Sequence, residues 1–107
     1  MEEPIYMLNA LWLKEEGGKE KYLEYGAAAN ALLKKAGGEV QENYYPEKSI
    51  IGEWDPDVFF LVKYPSKAAF EAMVKSPEYQ EILHLREDAI EKSLLIRCKP
   101  FDWGLDT

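Results

Sequence analysis

Apolar residues along the chain fall either in short extended runs or at helical spacing, and this pattern predicts the order of the elements. Extended runs bounded by proline, glycine or acidic turns predict strands, and apolar residues three or four positions apart predict helices. The predicted elements are a strand at Ile5–Leu13, a helix at Lys19–Ala36, an extended segment at Glu39–Trp54, a strand at Val58–Tyr64, a helix opened by Pro65-Ser66 and restarted at Ser76-Pro77, and a strand at Leu94–Lys99.

Turn residues support these boundaries. Gly37-Gly38 supplies the left-handed cap that ends the first helix, and Ser76-Pro77 fits the N-cap and first position of the last one. Pro46 cannot donate to a strand ladder, so we expect a break near Tyr45–Ser49, with the strand resuming at Ile50. Asp55-Pro56-Asp57 then predicts the turn of a hairpin into the third strand.

The resulting order is β-α-β-β-α-β, which is the ferredoxin-like arrangement. We therefore expect an α+β fold in which two helices cover one face of a four-stranded antiparallel sheet. The domain would span residues 1–107, with a core at about 5–99 and a tail at 100–107. Phe101, Trp103 and Leu105 alternate with polar residues or glycine in that tail, which predicts an extended arm packed on the partner of a dimer or on its own helices.

Both faces of the predicted sheet are apolar. In the first strand, one side carries Ile5 and Met7 and the other carries Tyr6 and Leu8, where a half-exposed strand would alternate apolar with polar residues. The helices cover only one face, so a second copy of the sheet is the simplest cover for the other. The pattern therefore predicts a homodimer.

The last helix carries an arginine within its apolar stripe. At about 100° per residue, Arg86 shares a side with Tyr79 and Leu83, whereas His84 lies on the polar side. A guanidinium that faces a core needs a carboxylate or a bound anion. Arg86 is therefore either a structural ion-pair partner or the lining of a pocket, and His84 is expected to be a surface residue.

Composition excludes several classes of function. One cysteine and one histidine provide no disulfide and no Cys/His metal site, so no metal or other cofactor is expected. Cys98 is expected to be an inert buried thiol. A net charge of -7 weighs against nucleic acid and anionic membranes as partners, and no run of apolar residues reaches membrane-spanning length. The acidic start of the chain is unlike a signal peptide, so the cytoplasm is the expected location.

Several short motifs together resemble the domain-of-unknown-function 1330 family, one branch of the dimeric α/β barrel superfamily. The resemblance runs from about residue 5 to residue 97 and rests on Tyr25 with the alanines after it, Gly37-Gly38, Gly52-Glu53-Trp54-Asp55-Pro56, Tyr64-Pro65-Ser66, Ser76-Pro77-Glu78-Tyr79 and Arg86. It implies a barrel dimer in which Arg86 faces a cavity between helices and sheet. Related branches include cofactor-free monooxygenases, lactone isomerases and haem enzymes.

The candidate ligand-binding residues are those expected around this arginine. They are Arg86, Asn9, Tyr25, Glu53 and Trp54. Asp57 and the hydroxyl of Tyr22 are further candidate neighbours. The family places Glu-Gly before its tryptophan where this chain has Gly52-Glu53, a reversal that would shift the carboxylate to the other sheet face.

Two functions follow from these residues. In the first, a small-molecule pocket supports a cofactor-free oxygenase or isomerase acting on a small oxygenated or aromatic compound, with Arg86 stabilising an enolate-like oxyanion. In the second, the protein is a noncatalytic dimer that binds a metabolite or another protein, and Arg86 forms a structural salt bridge.

Overall fold

The computed structural model describes residues 3–104 and confirms the ferredoxin-like fold. Its elements are β1 (Ile5–Leu13), α1 (Gly18–Lys35), β2 (Glu39–Tyr44), β3 (Val58–Tyr64), α2 (Lys67–Lys75), α3 (Pro77–Ala89) and β4 (Ile90–Cys98). The four strands form one antiparallel sheet in the order β2-β3-β1-β4. β1 is central, with Asn9 opposite Phe60 of β3 and Leu95 of β4.

Local capping fixes the helices where the sequence predicts. Gly37 has a φ of 80° and its N–H donates to the carbonyl of Lys34, while the N–H of Gly38 donates to the carbonyl of Leu33 at 2.9 Å, which is a Schellman motif. The hydroxyl of Ser76 accepts from the N–H of Tyr79 at 3.2 Å and caps α3, with Pro77 in the first turn. The predicted ends of α1 and the predicted start of α3 therefore agree with the structure to within a residue or two.

The strand predicted to resume at Ile50 does not form. Residues 45–57 are an irregular connection between β2 and β3, and Ile50 and Ile51 are 83% and 95% exposed. The connection is fixed at its end, where the N–H of Asp57 donates to the carbonyl of Leu11 and the N–H of Leu13 donates to the Asp57 carboxylate, both at 2.7 Å. These bonds hold the connection beside the end of β1, so residues 50–54 have no strand to pair with.

The last strand begins four residues earlier than predicted. Ile90 is already extended, with φ −105° and ψ 128°, and it pairs with Leu13 across a register shift. The carbonyl of Ala89 accepts from the N–H of Lys14 at 2.9 Å, so the chain leaves α3 directly onto the end of β1. Pairing with β1 therefore ends α3 at Ala89 and extends the last strand to residues before Leu94.

The two faces of the sheet have different cover. Ile5, Met7, Val62 and Tyr64 form the buried core on the face that the helices cover, with Leu33, Phe60, Phe70 and Met73 packed against them. The opposite face, here called the open face, is covered by no helix of the described chain, and Trp54 of the 45–57 connection packs on one end of it. Its apolar side chains, placed by strand register, are Tyr6, Leu8, Ala10, Trp12, Phe59, Leu61, Leu94 and Ile96.

Two sequence predictions concern residues near this open face. Cys98 lies opposite Tyr6 at the end of β4 and is half-buried in the single chain, less enclosed than expected. In the tail, the rings of Phe101 and Trp103 pack edge to face with their centroids 4.8 Å apart, and both side chains are exposed. They do not pack on their own helices, and Leu105 lies outside the described residues.

No helix within residues 3–104 is long and apolar enough to cross a membrane.

Candidate functional site

A cavity of about 480 Å³ lies between the three helices and the covered face of the sheet. This volume is within the range of about 300 to 1,000 Å³ that is usual for small-molecule sites. Every helix contributes to its wall, as do all four strands. The polar lining residues are Asn9, Tyr22, Tyr25, Asn30, Asn43, Tyr64, Tyr79, Arg86 and Ser93.

Arg86 brings a positive charge into this cavity. It lies in the last turn of α3 on the same side as Tyr79 and Leu83, which also line the wall. In the described part of the chain the one ion pair is Lys67–Glu71, on the surface of α2, so no carboxylate lies within salt-bridge distance of Arg86. No buried side-chain nitrogen or oxygen in residues 3–104 lacks a partner, so the guanidinium of Arg86, which is half-buried, is not enclosed without a partner.

Tyrosines of α1 and α3 line the same cavity as this charge, and the charge of Arg86 acts on the hydroxyls of Tyr22 and Tyr25. The Tyr25 and Tyr79 hydroxyl oxygens are 2.7 Å apart in a buried hydrogen bond that joins α1 to α3. Their rings meet edge to face with centroids 6.3 Å apart, and the Tyr22 ring lies 5.4 Å from that of Tyr25. One proton of the hydroxyl pair is used between the two tyrosines, so the other remains available to a neighbour.

The phenols of Tyr22, Tyr25 and Tyr64 stay neutral over the physiological range. Burial raises the pKa of Tyr22 to about 12, with the nearby charge of Arg86 acting in the opposite direction. The pKa of Tyr25 is also raised, first by burial and then by its hydrogen bond with Tyr79. Burial raises the pKa of Tyr64 to about 12. The tyrosines can therefore donate hydrogen bonds but do not act as bases near neutral pH.

The wall that α2 contributes to the cavity is apolar. Phe70 and Met73 of α2 lie there with Leu33 of α1, above Phe60 and Val62 of β3. The Phe70 ring packs edge to face on Tyr64 at 5.0 Å. α2 thus contributes only apolar side chains to the lining, and the charged side chain of the described lining lies on α3.

The predicted site residues fall into two groups. Arg86, Asn9 and Tyr25 all line the cavity, and the Asn9 amide donates to the carbonyl of Met7 at 3.2 Å, leaving its oxygen available. Glu53 and Trp54 do not reach it. They line a separate groove at the end of the open face, so Glu53 is not the partner of Arg86.

This second groove is built by the 45–57 connection. The Trp54 ring lies 6.5 Å from Trp12 and 5.2 Å from Phe59, both of which point to the open face. The Trp12 indole N–H donates to the Asp55 carboxylate at 3.0 Å, and the ammonium of Lys92 lies 4.6 Å from the centre of the Trp12 ring. Trp54 is therefore part of the packing at this end of the open face.

The remaining candidates lie away from the cavity. His84 is exposed on the outer side of α3, as its helical position predicts, and Asp57 is held at the end of β1. Sequence reasoning did not select Tyr79 or Ser93 as site residues. Tyr79 could have been found, since it precedes Arg86 by seven positions on one helical stripe, but the position of Ser93 depends on the early start of β4. No three histidine, cysteine or acidic side chains within residues 3–104 are grouped to hold a metal ion.

A family model described as "Domain of unknown function (DUF1330)" matches residues 10–97. The match covers β1 from its middle, all three helices and nearly all of β4. It therefore includes Arg86 and the tyrosines around it. No curated protein matches the chain.

Solved structures share the fold over almost the whole chain. A protein of unknown function from Rhodopseudomonas palustris is 35% identical, with a TM-score of 0.85 over 95% of this chain and 85% of that one. A dimeric ferredoxin-like protein of unknown function from Jannaschia sp. CCS1 is 18% identical, with a TM-score of 0.73 over 91% and 99%. A candidate antibiotic biosynthesis monooxygenase from Bacteriodes thetaiotaomicron VPI-5482 is 18% identical, with a TM-score of 0.62 over 98% and 96%. At 18% identity, the last two show the fold alone.

Proposed function

The chain belongs to the DUF1330 family, and we propose that its function is to bind a small oxygen-bearing molecule in the cavity beside Arg86. The observation that carries this proposal is a guanidinium on the cavity wall with no carboxylate partner among the described residues. A buried or half-buried arginine is normally paired, because the desolvated charge is otherwise costly. A ligand oxygen supplies the missing partner.

The rest of the cavity supports a bound molecule of modest size. The side chains that α2 contributes to the lining are all apolar, while the charged group, Arg86, belongs to α3. Small-molecule sites usually combine such an apolar lining with a few placed polar groups. This arrangement argues against the salt-bridged version of a noncatalytic module, whereas noncatalytic binding of a metabolite remains compatible with it.

Binding can be tested with Met73 as a reporter inside the cavity. Protein labelled with ¹³C at the methionine methyl groups is titrated with 2-naphthol, 2-naphthamide and 2-naphthoate, and the Met73 methyl signal is identified by its loss in Met73→Leu. At least one fragment is expected to shift this signal saturably, through the ring current of the bound naphthalene. The proposal fails if none of the three shifts it.

Arg86→Met separates this site from general hydrophobic binding. The substitution keeps much of the apolar stem and removes the charge, and it should weaken the fragment at least about tenfold. Arg97→Met is the matched control, since Arg97 is exposed and lies outside the cavity lining. Equal binding by the two variants would contradict the proposal.

We also propose a catalytic version, in which the bound molecule is oxidised or isomerised without a cofactor. Arg86 would then stabilise an enolate or phenolate oxygen. The described lining contains no histidine, lysine or carboxylate, so such a substrate would have to ionise readily without help from a protein base. An oxygen electrode tests this version with acidic phenols and 1,3-diketones: oxygen uptake that depends on Arg86 supports it, and binding without turnover supports the noncatalytic version.

We further propose that the protein is a homodimer joined through its open face. Large apolar side chains remain exposed there, including Leu61 and Ile96, and the Jannaschia protein with the same fold is described as dimeric. Burying such a face on a second copy would remove this apolar surface from water. Light scattering at micromolar concentration should give about twice the 12.4 kDa chain mass, and a monomer would contradict the proposal.

A further inference from the structure

We propose that the molecule bound in the cavity is a singly charged oxyanion with an aromatic or aliphatic body, held with its charged end at Arg86 and its body towards α2. This inference rests on the proposed function and narrows it to one class of ligand. It excludes cations, zwitterions and molecules with two separated negative charges. Monocarboxylates, phenolates and enolates of this shape share the required chemistry.

The charge inside the cavity sets the charge of the ligand. Among the described residues that line it, Arg86 is the one charged side chain; the other polar groups are phenols, amides and a hydroxyl. One negative charge on the ligand gives a neutral pair. A second negative charge elsewhere, or any positive charge, would be desolvated without a partner, which is costly.

The distribution of polar groups sets the orientation. Arg86 and Tyr79 belong to α3, whereas Phe70 and Met73 belong to α2 and pack on the buried core. A charged group at the α2 end would meet aliphatic and aromatic atoms and the uncharged amides and phenols of the neighbouring strands, with no charged side chain to pair with. The ligand therefore places its oxygens at α3 and its hydrocarbon part at α2.

The tyrosine pair adds a second donor at the charged end. The Tyr25 and Tyr79 hydroxyls share one proton between oxygens 2.7 Å apart, which leaves the other proton to donate elsewhere. Hydrogen bonds from a neutral donor to an anionic oxygen are stronger than those to a neutral one. Arg86 and this pair together favour the ionised form of a ligand over its protonated or amide form.

A matched set of naphthalenes tests the class of ligand. Affinities of 2-naphthoate, 2-naphthamide, 2,6-naphthalenedicarboxylate and 2-naphthylmethylammonium are measured at pH 7 by calorimetry, with the Met73 methyl signal confirming binding in the cavity. The four share one ring system and differ in charge. 2-Naphthoate should bind at least about tenfold more tightly than each of the others.

The results separate this inference from the proposed function. If 2-naphthamide binds as tightly as 2-naphthoate and still depends on Arg86, the class is wrong and the cavity remains a binding site. If 2,6-naphthalenedicarboxylate or 2-naphthylmethylammonium binds as tightly as 2-naphthoate, the proposed single negative charge of the ligand or its proposed orientation is wrong. If no compound binds in the cavity, or Arg86→Met leaves every affinity unchanged, both fail.

Tyr25→Phe combined with Tyr79→Phe tests the second donor, because either hydroxyl of the pair can hold the free proton. This double variant should weaken 2-naphthoate by about three- to tenfold and 2-naphthamide by less, because the lost hydrogen bond is to an anion in the first case. Tyr6→Phe is the control, since Tyr6 lies on the open face and not in the cavity lining. Equal loss for the two compounds would indicate that the tyrosine pair contributes packing and not recognition of the charge.

Discussion

Phe59 and Phe60 are neighbours in β3, yet their rings lie in different environments. Phe60 points to the helices and lines the cavity, whereas Phe59 points to the open face and packs beside Tyr44 and Trp54. The next two residues repeat the contrast, because Val62 is 4% exposed and Leu61 is 36% exposed. Alternation along one strand thus supplies apolar side chains to both faces, and only one face is covered by helices.

The polar groups are distributed differently from the apolar ones. The covered face and the helices above it hold Arg86, Asn9 and the tyrosine pair around an open volume. The centre of the open face, at Leu8, Ala10 and Leu61, is apolar. This difference favours recognition of a small molecule on the covered side and association with a second copy on the open side.

The greatest loss of stability is expected when glutamate is introduced at one of two adjacent positions of β3. Val62→Glu buries an unpaired carboxylate in the core and should destabilise the fold by more than about 4 kcal/mol, or prevent folding. Leu61→Glu places the same group on the open face and should halve the mass in light scattering while circular dichroism stays native. Unfolding of both variants to the same extent would mean that the two faces are equally essential to the single chain.

A smaller loss is expected where the 45–57 connection joins β1. Asp57→Ala removes the carboxylate that accepts from the N–H of Leu13 at 2.7 Å and should cost about 1 to 3 kcal/mol in urea denaturation. Because this bond lies at the end of β1 and outside the cavity lining, ligand binding in the cavity should persist. Loss of fragment binding in a folded Asp57→Ala protein would show that the two regions are coupled.

The cavity tyrosines predict a loss of stability at high pH. The pKa of Tyr22 is raised to about 12 in the folded protein, against about 10 in an unfolded chain, so folding favours the neutral phenol. This contribution is complete below pH 10 and is lost as the pH rises towards 12. Denaturant melts at pH 9 and pH 11 should therefore differ less in Tyr22→Phe than in the wild type, by about 1 kcal/mol. The same pH dependence in both proteins would contradict the burial of this hydroxyl.

Arg86→Met is expected to have the smallest effect on stability. No carboxylate in the described chain is left unpaired by the change, so the free energy of unfolding should move by less than about 1 kcal/mol. Urea denaturation beside Arg97→Met provides the measurement. A loss of about 3 to 5 kcal/mol would indicate that Arg86 is a structural ion-pair partner after all.

Local signals in the sequence predicted much of the fold. Gly37-Gly38 and Ser76-Pro77 act through bonds within a few residues, and they mark the ends of α1 and α2 and the start of α3. The stripe of α3 also placed Arg86 and His84 on opposite sides. Such features are readable because the chemistry that determines them is contained in the segment itself.

Contacts between distant segments were harder to predict from the sequence. The path of residues 50–54 depends on bonds from Asp55 and Asp57 to β1, more than 40 positions away, and the early start of β4 depends on pairing with the end of β1. Glu53 was expected near Arg86 for the same reason, since sequence spacing does not show which groove a loop residue enters. The bond between Tyr25 and Tyr79 joins residues 54 positions apart, and no local pattern predicts it.

A crystal structure of the protein with 2-naphthoate is the most direct test of Arg86 as the anchor of a binding site. We expect carboxylate oxygens within about 3 Å of the Arg86 guanidinium and the ring between Phe60, Phe70 and Met73. A naphthoate bound only at the Trp12–Trp54 groove, with Arg86 turned to a carboxylate or to bulk solvent, would contradict it.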